Sequence, residues 1–211
     1  MMKIIDISWP IGLTMTQYKN KNSVNLERVH KEGGYVMEHS IMLNSHTGTH
    51  IDAPAHFIEG ATTINHVPLN RFIGRCFVAD MTHVSHHIDQ YVLEGIPAQK
   101  GDIVIFKTRN SMNAWDEPFD PNFIYVEASA ARYAVSREWK ALGIDYLGIE
   151  RNQPDHETHI LLGAAEIPII EGLRLAEVTE GFYFACILPL KIIGLEAAPA
   201  RAILFEDLFP E

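Results

Sequence analysis

Between Ser45 and Phe57 the chain reads Ser-His-Thr-Gly-Thr-His-Ile-Asp-Ala-Pro-Ala-His-Phe, which places His46, His50 and His56 around the carboxylate of Asp52. Neutral imidazole and carboxylate are the donors that suit zinc, manganese or iron, and no thiol lies among them. All four residues fall on even positions, so an extended strand would turn them to one face. A straight strand cannot gather them, because at ~3.3 Å per residue His46 and Asp52 stand ~20 Å apart. A helix would align His46 with His50, but β-branched Thr47, Thr49 and Ile51, together with Gly48 and Pro54, oppose one. The Glu that a zincin motif carries beside its first His is also missing. The segment therefore reads as a strand ending in a tight curl that Gly48 permits, folding side chains onto a common metal centre.

Further donors must come from elsewhere. In Asp155-His-Glu-Thr-His159, His156 and His159 would share one face of a helix. Glu171 closes an apolar run just before Gly172, where a side chain can emerge from the edge of a core. His83, His86 and His87 have polar neighbours and read as a solvated loop or helix start, and His66 as a packing or turn histidine. Arg109, Arg132 and Arg151 could each bind a carboxylate substrate, and nothing in the sequence ranks them.

These residues need a scaffold. A length of 211 residues with 47% hydrophobic residues predicts a single domain spanning 1–211 with a substantial core. A formal charge of -10 argues against nucleic acid or an anionic membrane as partner. The opening Met1-Met2-Lys3-Ile4-Ile5-Asp6 does not read as a signal peptide, and no apolar run is long enough to span a membrane, so a cytoplasmic protein is expected. Cys76 and Cys186 sit in apolar contexts and are expected to be buried free thiols.

Strands are expected at 3–8, 36–44, 75–81, 102–108, 144–149, 167–170, 187–194 and 200–205, with a turn at Glu196-Ala-Ala-Pro199. One helix is expected over 129–142, capped by Ser129, striped by Ala131, Val135, Trp139 and Leu142, and ended by Gly143. A shorter one should run from a cap at Asp155 through Leu162. Helices interrupting a majority of strands make a mixed α/β fold.

With these residues in view, the chain resembles the cyclase family of metal-dependent hydrolases, which includes bacterial kynurenine formamidases and isatin hydrolases. The resemblance rests chiefly on His46-Thr-Gly-Thr-His50-Ile-Asp52-Ala-Pro-Ala-His56-Phe57. It extends through Thr63-Ile64 and Val67-Pro-Leu-Asn-Arg-Phe-Ile-Gly74, with echoes at Asp6-Ile-Ser8, Gly148-Ile-Glu150 and Pro189-Leu-Lys-Ile-Ile-Gly194. It implies a single α/β domain with a swivelling β/α/β core in a homodimer or higher oligomer, with active sites near subunit contacts. It also implies metal ligands at His46, His50 and Asp52, and an acid/base role for His56. A second metal would be completed by a later His and a Glu twelve residues on, a separation that His159 and Glu171 match and His156 misses by three. That set implies two zinc ions, with manganese possible. The Trp-Pro-Gly-Asp-like segment of the formamidases is absent, since Trp9-Pro10 is followed by Ile-Gly-Leu-Thr. Trp9 is carried over as a substrate contact.

The implied activity is metal-assisted hydrolysis of an amide, with N-formylkynurenine of tryptophan catabolism as the expected substrate. An isatin-type lactam or lactone is the alternative within enzymes. A non-catalytic metal-binding protein with a closed coordination sphere is the alternative outside them.

Overall fold

A computed structural model describes residues 3–21, 24–29 and 35–206. The opening Met1-Met2 of the segment read against a signal peptide therefore lies outside the described residues. The chain runs β1 (Ile4–Asp6), β2 (Val24–Val29), β3 (Glu38–Leu43), β4 (His50–Asp52), β5 (Ile73–Asp80), β6 (His87–Ile88), β7 (Ile103–Lys107) and β8 (Tyr125–Val126). It continues through α1 (Ala128–Ser136), β9 (Ala141–Ile144), α2 (Glu157–Ala164), β10 (Ile169–Glu171), β11 (Gly181–Pro189) and β12 (Ala197–Phe205). Short 3-10 turns link several of these. Among the described residues no helix is long and apolar enough to cross a membrane.

The main sheet has the order β1-β12-β11-β5-β7-β9-β10-β4, and β4 pairs again with β12, which closes it on itself. β5, β7, β9 and β10 are parallel neighbours, whereas β4 is antiparallel to both β10 and β12. Alternation divides the side chains between two cores. Val78, Ile103, Ile105 and Ala141 join Ile51, Ile170 and Leu204 in one cluster. Phe77, Ala79, Val104, Phe106, Leu142 and Ile144 pack with Ala130, Ala131 and Ala134 of α1 and Leu162 of α2 in the other. The mixed α/β class is as expected.

Several boundaries differ from the expectation. α1 is capped by Glu127, whose side chain accepts from Ser129 N, and it stops at Ser136. Glu138 then takes a left-handed φ of 53°, and residues 141–144 form β9 between two parallel neighbours. Trp139 and Leu142 are buried with the helix stripe but reach that core from beyond the helix, because a strand buried on both faces is apolar throughout. Likewise 145–149 lies past β9. The N-cap of α2 is His156, in a left-handed conformation, rather than Asp155. Glu196-Ala-Ala-Pro199 is no turn: Ala197, Ala198 and Pro199 are the start of β12, aligned with Asp52, Ile51 and His50. β11 ends at Pro189, leaving 190–194 outside it. Cys76 is a buried free thiol as expected, while Cys186, also free, is only half-buried.

Candidate metal centre

β4 is only three residues long, with tight turns on both sides, and this gathers the local donors. His46 lies in the turn before it. His50 and Asp52 share one face of the strand, with Ile51 turned to the opposite core. Pro54 then starts a 3-10 turn that ends at His56. The curl inferred at Gly48 is present: its φ is 62°. Gly172, with φ 68°, crosses so close to it that a Cβ would lie 2.3 Å from the Gly48 carbonyl oxygen. Two glycines thus let the two donor-bearing segments touch. Thr49 Oγ1 fastens the crossing by donating to Gly172 O and accepting from Trp9 N.

Strand register supplies the next donor. Glu171 of β10 stands directly opposite His50, and its Oε2 lies 3.2 Å from His50 Nε2. Asp52 is the hub. Its Oδ1 is 3.0 Å from His46 Nδ1 and 3.6 Å from His50 Nε2, and its Oδ2 is 3.9 Å from His159 Nε2 and 4.0 Å from His56 Nε2. His159 Nε2 is also 3.7 Å from Glu171 Oε1. Each of three imidazoles turns its remaining nitrogen outward to an acceptor. His50 Nδ1 meets Gly48 O at 2.8 Å, His46 Nε2 meets Glu196 Oε1 at 3.2 Å, and His159 Nδ1 faces Glu150 Oε2 at 3.0 Å. This is how metal-binding histidines are held by an outer layer of acceptors.

The inward atoms are left wanting. His50 Nε2 and both Asp52 oxygens are buried with no hydrogen-bond partner. Orphaned buried polar atoms are costly, and here they converge. Donors each ~2 Å from a shared ion would stand about as far apart as these do. His46–Asp52–His56 and His50–Asp52–Glu171 are each close enough to hold one ion, so the residues fit a divalent metal.

Electrostatics carries the same message. Burial works against a charged His50, but the nearby carboxylates of Glu171 and Asp52 outweigh it and push its pKa up to about 9. His159 behaves alike: burial is outweighed by Glu150, Glu171 and Asp52, and its pKa is pushed up to about 9. Burial would raise Glu171, yet the adjacent imidazoles of His159 and His50 hold it well below the usual carboxylate range. Paired carboxylates here demand positive charge, which a proton or a metal can meet. His56 is the exception. Burial depresses its pKa, opposed by Asp52 and reinforced by His46 and His159, which favours the neutral imidazole.

His46, His50, Asp52, His56, His159 and Glu171 are therefore all brought together. His156 is turned aside, its Nδ1 bonded to Glu150 Oε1 at 2.6 Å. Trp9, expected against substrate, is instead buried in a separate core beside Tyr146, its indole donating to Trp115 O. It is not among the residues lining the cavity over the centre. His83 and His86 are exposed as expected, and His66 sits in an exposed turn.

Three residues escaped the sequence reading. Glu150 is buried, contacts both His156 and His159, and accepts from His159 N as a cap for α2. Glu196 bonds Ser45 and His46. The Phe57 ring lies against His159 at 4.2 Å between centroids. A carboxylate closing an apolar run, the signal that flagged Glu171, also marks Glu150.

A cavity of about 860 Å³ opens onto the centre, lined on that side by His46, His56, His159 and Glu171. Its walls are aromatic and apolar, from Met15, Tyr18, Phe57, Phe119, Phe123 and Leu147.

Comparison with known proteins agrees with this picture. The Cyclase family model matches residues 5–151. A kynurenine formamidase of Salinibacter ruber is 34% identical, over 96% of this chain and 97% of that protein. A solved "potential metal-dependent hydrolase with cyclase activity" superposes with a TM-score of 0.90 at 44% identity, covering both chains fully. An isatin hydrolase bound to the product analogue thioisatinate superposes at 0.83, over 100% of this chain and 93% of that one, at 19% identity, a likeness of fold.

Proposed function

Because this chain belongs to the Cyclase family, we propose that it is a metal-dependent hydrolase of C–N amide bonds acting on an aryl formamide such as N-formylkynurenine. One observation carries the reading: the orphaned atoms of His50 and Asp52 lie among His46, His56, His159 and Glu171, which line an aromatic-walled cavity that reaches solvent. A structural metal site would be closed by protein ligands on every side.

In this reading His46, His50, Asp52, His159 and Glu171 hold two zinc ions, with manganese possible from the same donors. Two close-set groups that share Asp52, His46–Asp52–His56 and His50–Asp52–Glu171, support that count. A divalent ion held there supplies a Lewis acid that polarises a carbonyl and acidifies water. The chain's own residues do the rest. His56, a neutral imidazole facing Asp52, takes the proton of the attacking water and delivers it to the departing aniline nitrogen. Water adds to the formyl carbon, the C–N bond breaks, and formate and the free amine leave. Asp52, beside His56, stabilises the imidazolium that forms between the two transfers. Glu150 and Glu196 orient His159 and His46. The cavity's aromatic walls accept an aryl group and exclude water from it.

The domain acts as one unit over 1–211, as a homodimer in the cytoplasm. The apolar side chains of Leu26, Val29, Ile41 and Met42, exposed on the β2–β3 ribbon, support an oligomer. Hydrolysis of N-formylkynurenine by zinc- or manganese-loaded protein, against a chelated control, tests the function. Metal-dependent turnover is expected. No turnover with metal bound overturns the formamide and favours an isatin-like ring, whose hydrolases share the fold. His56→Ala should abolish most turnover at full metal occupancy, and an unchanged rate removes that role.

A further inference from the structure

Of the three arginines that could meet a substrate carboxylate, only one is in the cavity wall. Arg109 is exposed, bonded to Asn122 O, and not among the lining residues. Arg132 is exposed on α1 and paired with Glu157. Arg151 lines the cavity, one residue beyond the carboxylate that contacts His159.

Arg151 is half-buried and held from several sides. Its Nη1 donates to Pro121 O at 3.0 Å and lies 3.4 Å from Asn122 Oδ1, and its Nη2 lies 3.3 Å from His86 Nε2. The guanidinium also sits over the rings of Tyr125 and Phe123, at 5.1 and 5.8 Å from their centroids. None of these partners is a carboxylate. Its Nε is buried with no partner, and among the described residues no carboxylate pairs with it. The carboxylates lining the cavity, Glu150 and Glu171, are committed to histidines. Lys19 and Lys21 add two further cations to the same lining, on exposed and flexible stems. A fixed, uncompensated guanidinium in a partly desolvated wall is built to receive a planar anion.

We propose that Arg151 is a specificity-determining residue that binds a carboxylate of the substrate, so that the preferred substrates are aryl amides bearing a carboxylate. The carboxylate rests on the Phe123 wall, apart from the histidines and acids of the metal centre, while the amide reaches that centre. This rests on the hydrolase reading above and narrows it to carboxylate-bearing substrates. It also accounts for a binding pocket in a chain of net charge -10 being lined by three cations.

Steady-state kinetics of metal-loaded wild type, Arg151→Gln and Arg151→Lys on N-formylkynurenine and on uncharged formanilide test it. For N-formylkynurenine, Arg151→Gln should raise KM at least about tenfold with kcat within about twofold, and Arg151→Lys should recover part of the loss. Formanilide kinetics should change less than about twofold, which also shows that the variant is folded. Equal effects on both substrates, or none on either, would overturn the role. Calorimetric titration with anthranilate and with aniline separates this proposal from the formamidase reading. If neither formamide is hydrolysed by wild type, that reading fails, while weaker anthranilate binding by Arg151→Gln still upholds the subsite. Unchanged anthranilate affinity in the variant overturns it.

Discussion

Asp145 and Asp52 are both fully buried carboxylates at strands of the same sheet, Asp145 directly after β9 and Asp52 closing β4. Asp145 is saturated with donors. Its oxygens accept from Thr108 N and Oγ1, Ser111 N and Oγ, and Asn110 Nδ2. Asp52 has no hydrogen-bond partner on either oxygen and faces four imidazoles instead. Burial raises the Asp145 pKa further than its hydrogen bonds lower it. At Asp52 burial and Glu171 push upward, yet His46 and His50 prevail and the pKa falls. Neutral donors from loop hydroxyls and backbone complete one carboxylate and make it a structural pin. The other is left incomplete by the protein and needs a cation. Burial alone does not tell these roles apart; the accounting of partners does.

Substituting the two residues should separate the roles most widely. Asp52→Asn should lower bound metal below stoichiometry and cut turnover by on the order of 10³-fold or more, with the metal-free fold largely intact. Metal analysis and circular dichroism on the same sample check this. Asp145→Asn should do the reverse, costing about 3 kcal/mol of stability in urea titrations while metal stoichiometry is unchanged, because buried donors lose their acceptor. A variant pair that behaved identically would dissolve the distinction.

A smaller effect is expected one layer out. Glu150→Gln keeps the shape but removes the charge facing His159, and should weaken metal affinity by ~10–100-fold, measured by competition with a chromophoric chelator. An unchanged affinity would confine Glu150 to capping α2.

The gentlest test is pH. In chelated protein, His50 and His159 are raised to about 9, so their contribution to stability is complete below their ordinary 6.5 and is lost as pH rises through about 9. Asp52 and Glu171 are lowered from 3.8 and 4.5, so theirs is present above those values and lost as pH falls. Metal-free Tm should therefore peak between these limits and decline from 6.5 toward 9, whereas metal-loaded protein should resist that decline. A flat metal-free profile across that range would contradict the picture of paired charge.

How much of this was legible follows from where the partners lie. His46, His50, Asp52 and His56 occupy one short segment, so residue type and spacing sufficed, and Gly48 announced the curl. The pairing of Glu171 with His50 joins strands far apart in sequence, and no local pattern encodes that register. Trp139 and Leu142 fell on helical spacing although they belong to the approach to β9 and to β9 itself, because a buried parallel strand lacks the alternation that would betray it. Ala197-Ala198-Pro199 lacks β-branched residues and so read as a turn, yet its place beside β4 makes it strand. Trp9 is carried over as a substrate contact from the family resemblance, and its burial against Tyr146 depends on tertiary packing that the resemblance does not encode.

The most direct measurement is anomalous diffraction at the zinc edge from zinc-loaded crystals. The account predicts metal density about 2 Å from the Asp52 oxygens and His50 Nε2, with none beside Asp145. Protein saturated with zinc that shows no density among His46, His50, Asp52, His159 and Glu171 would contradict it.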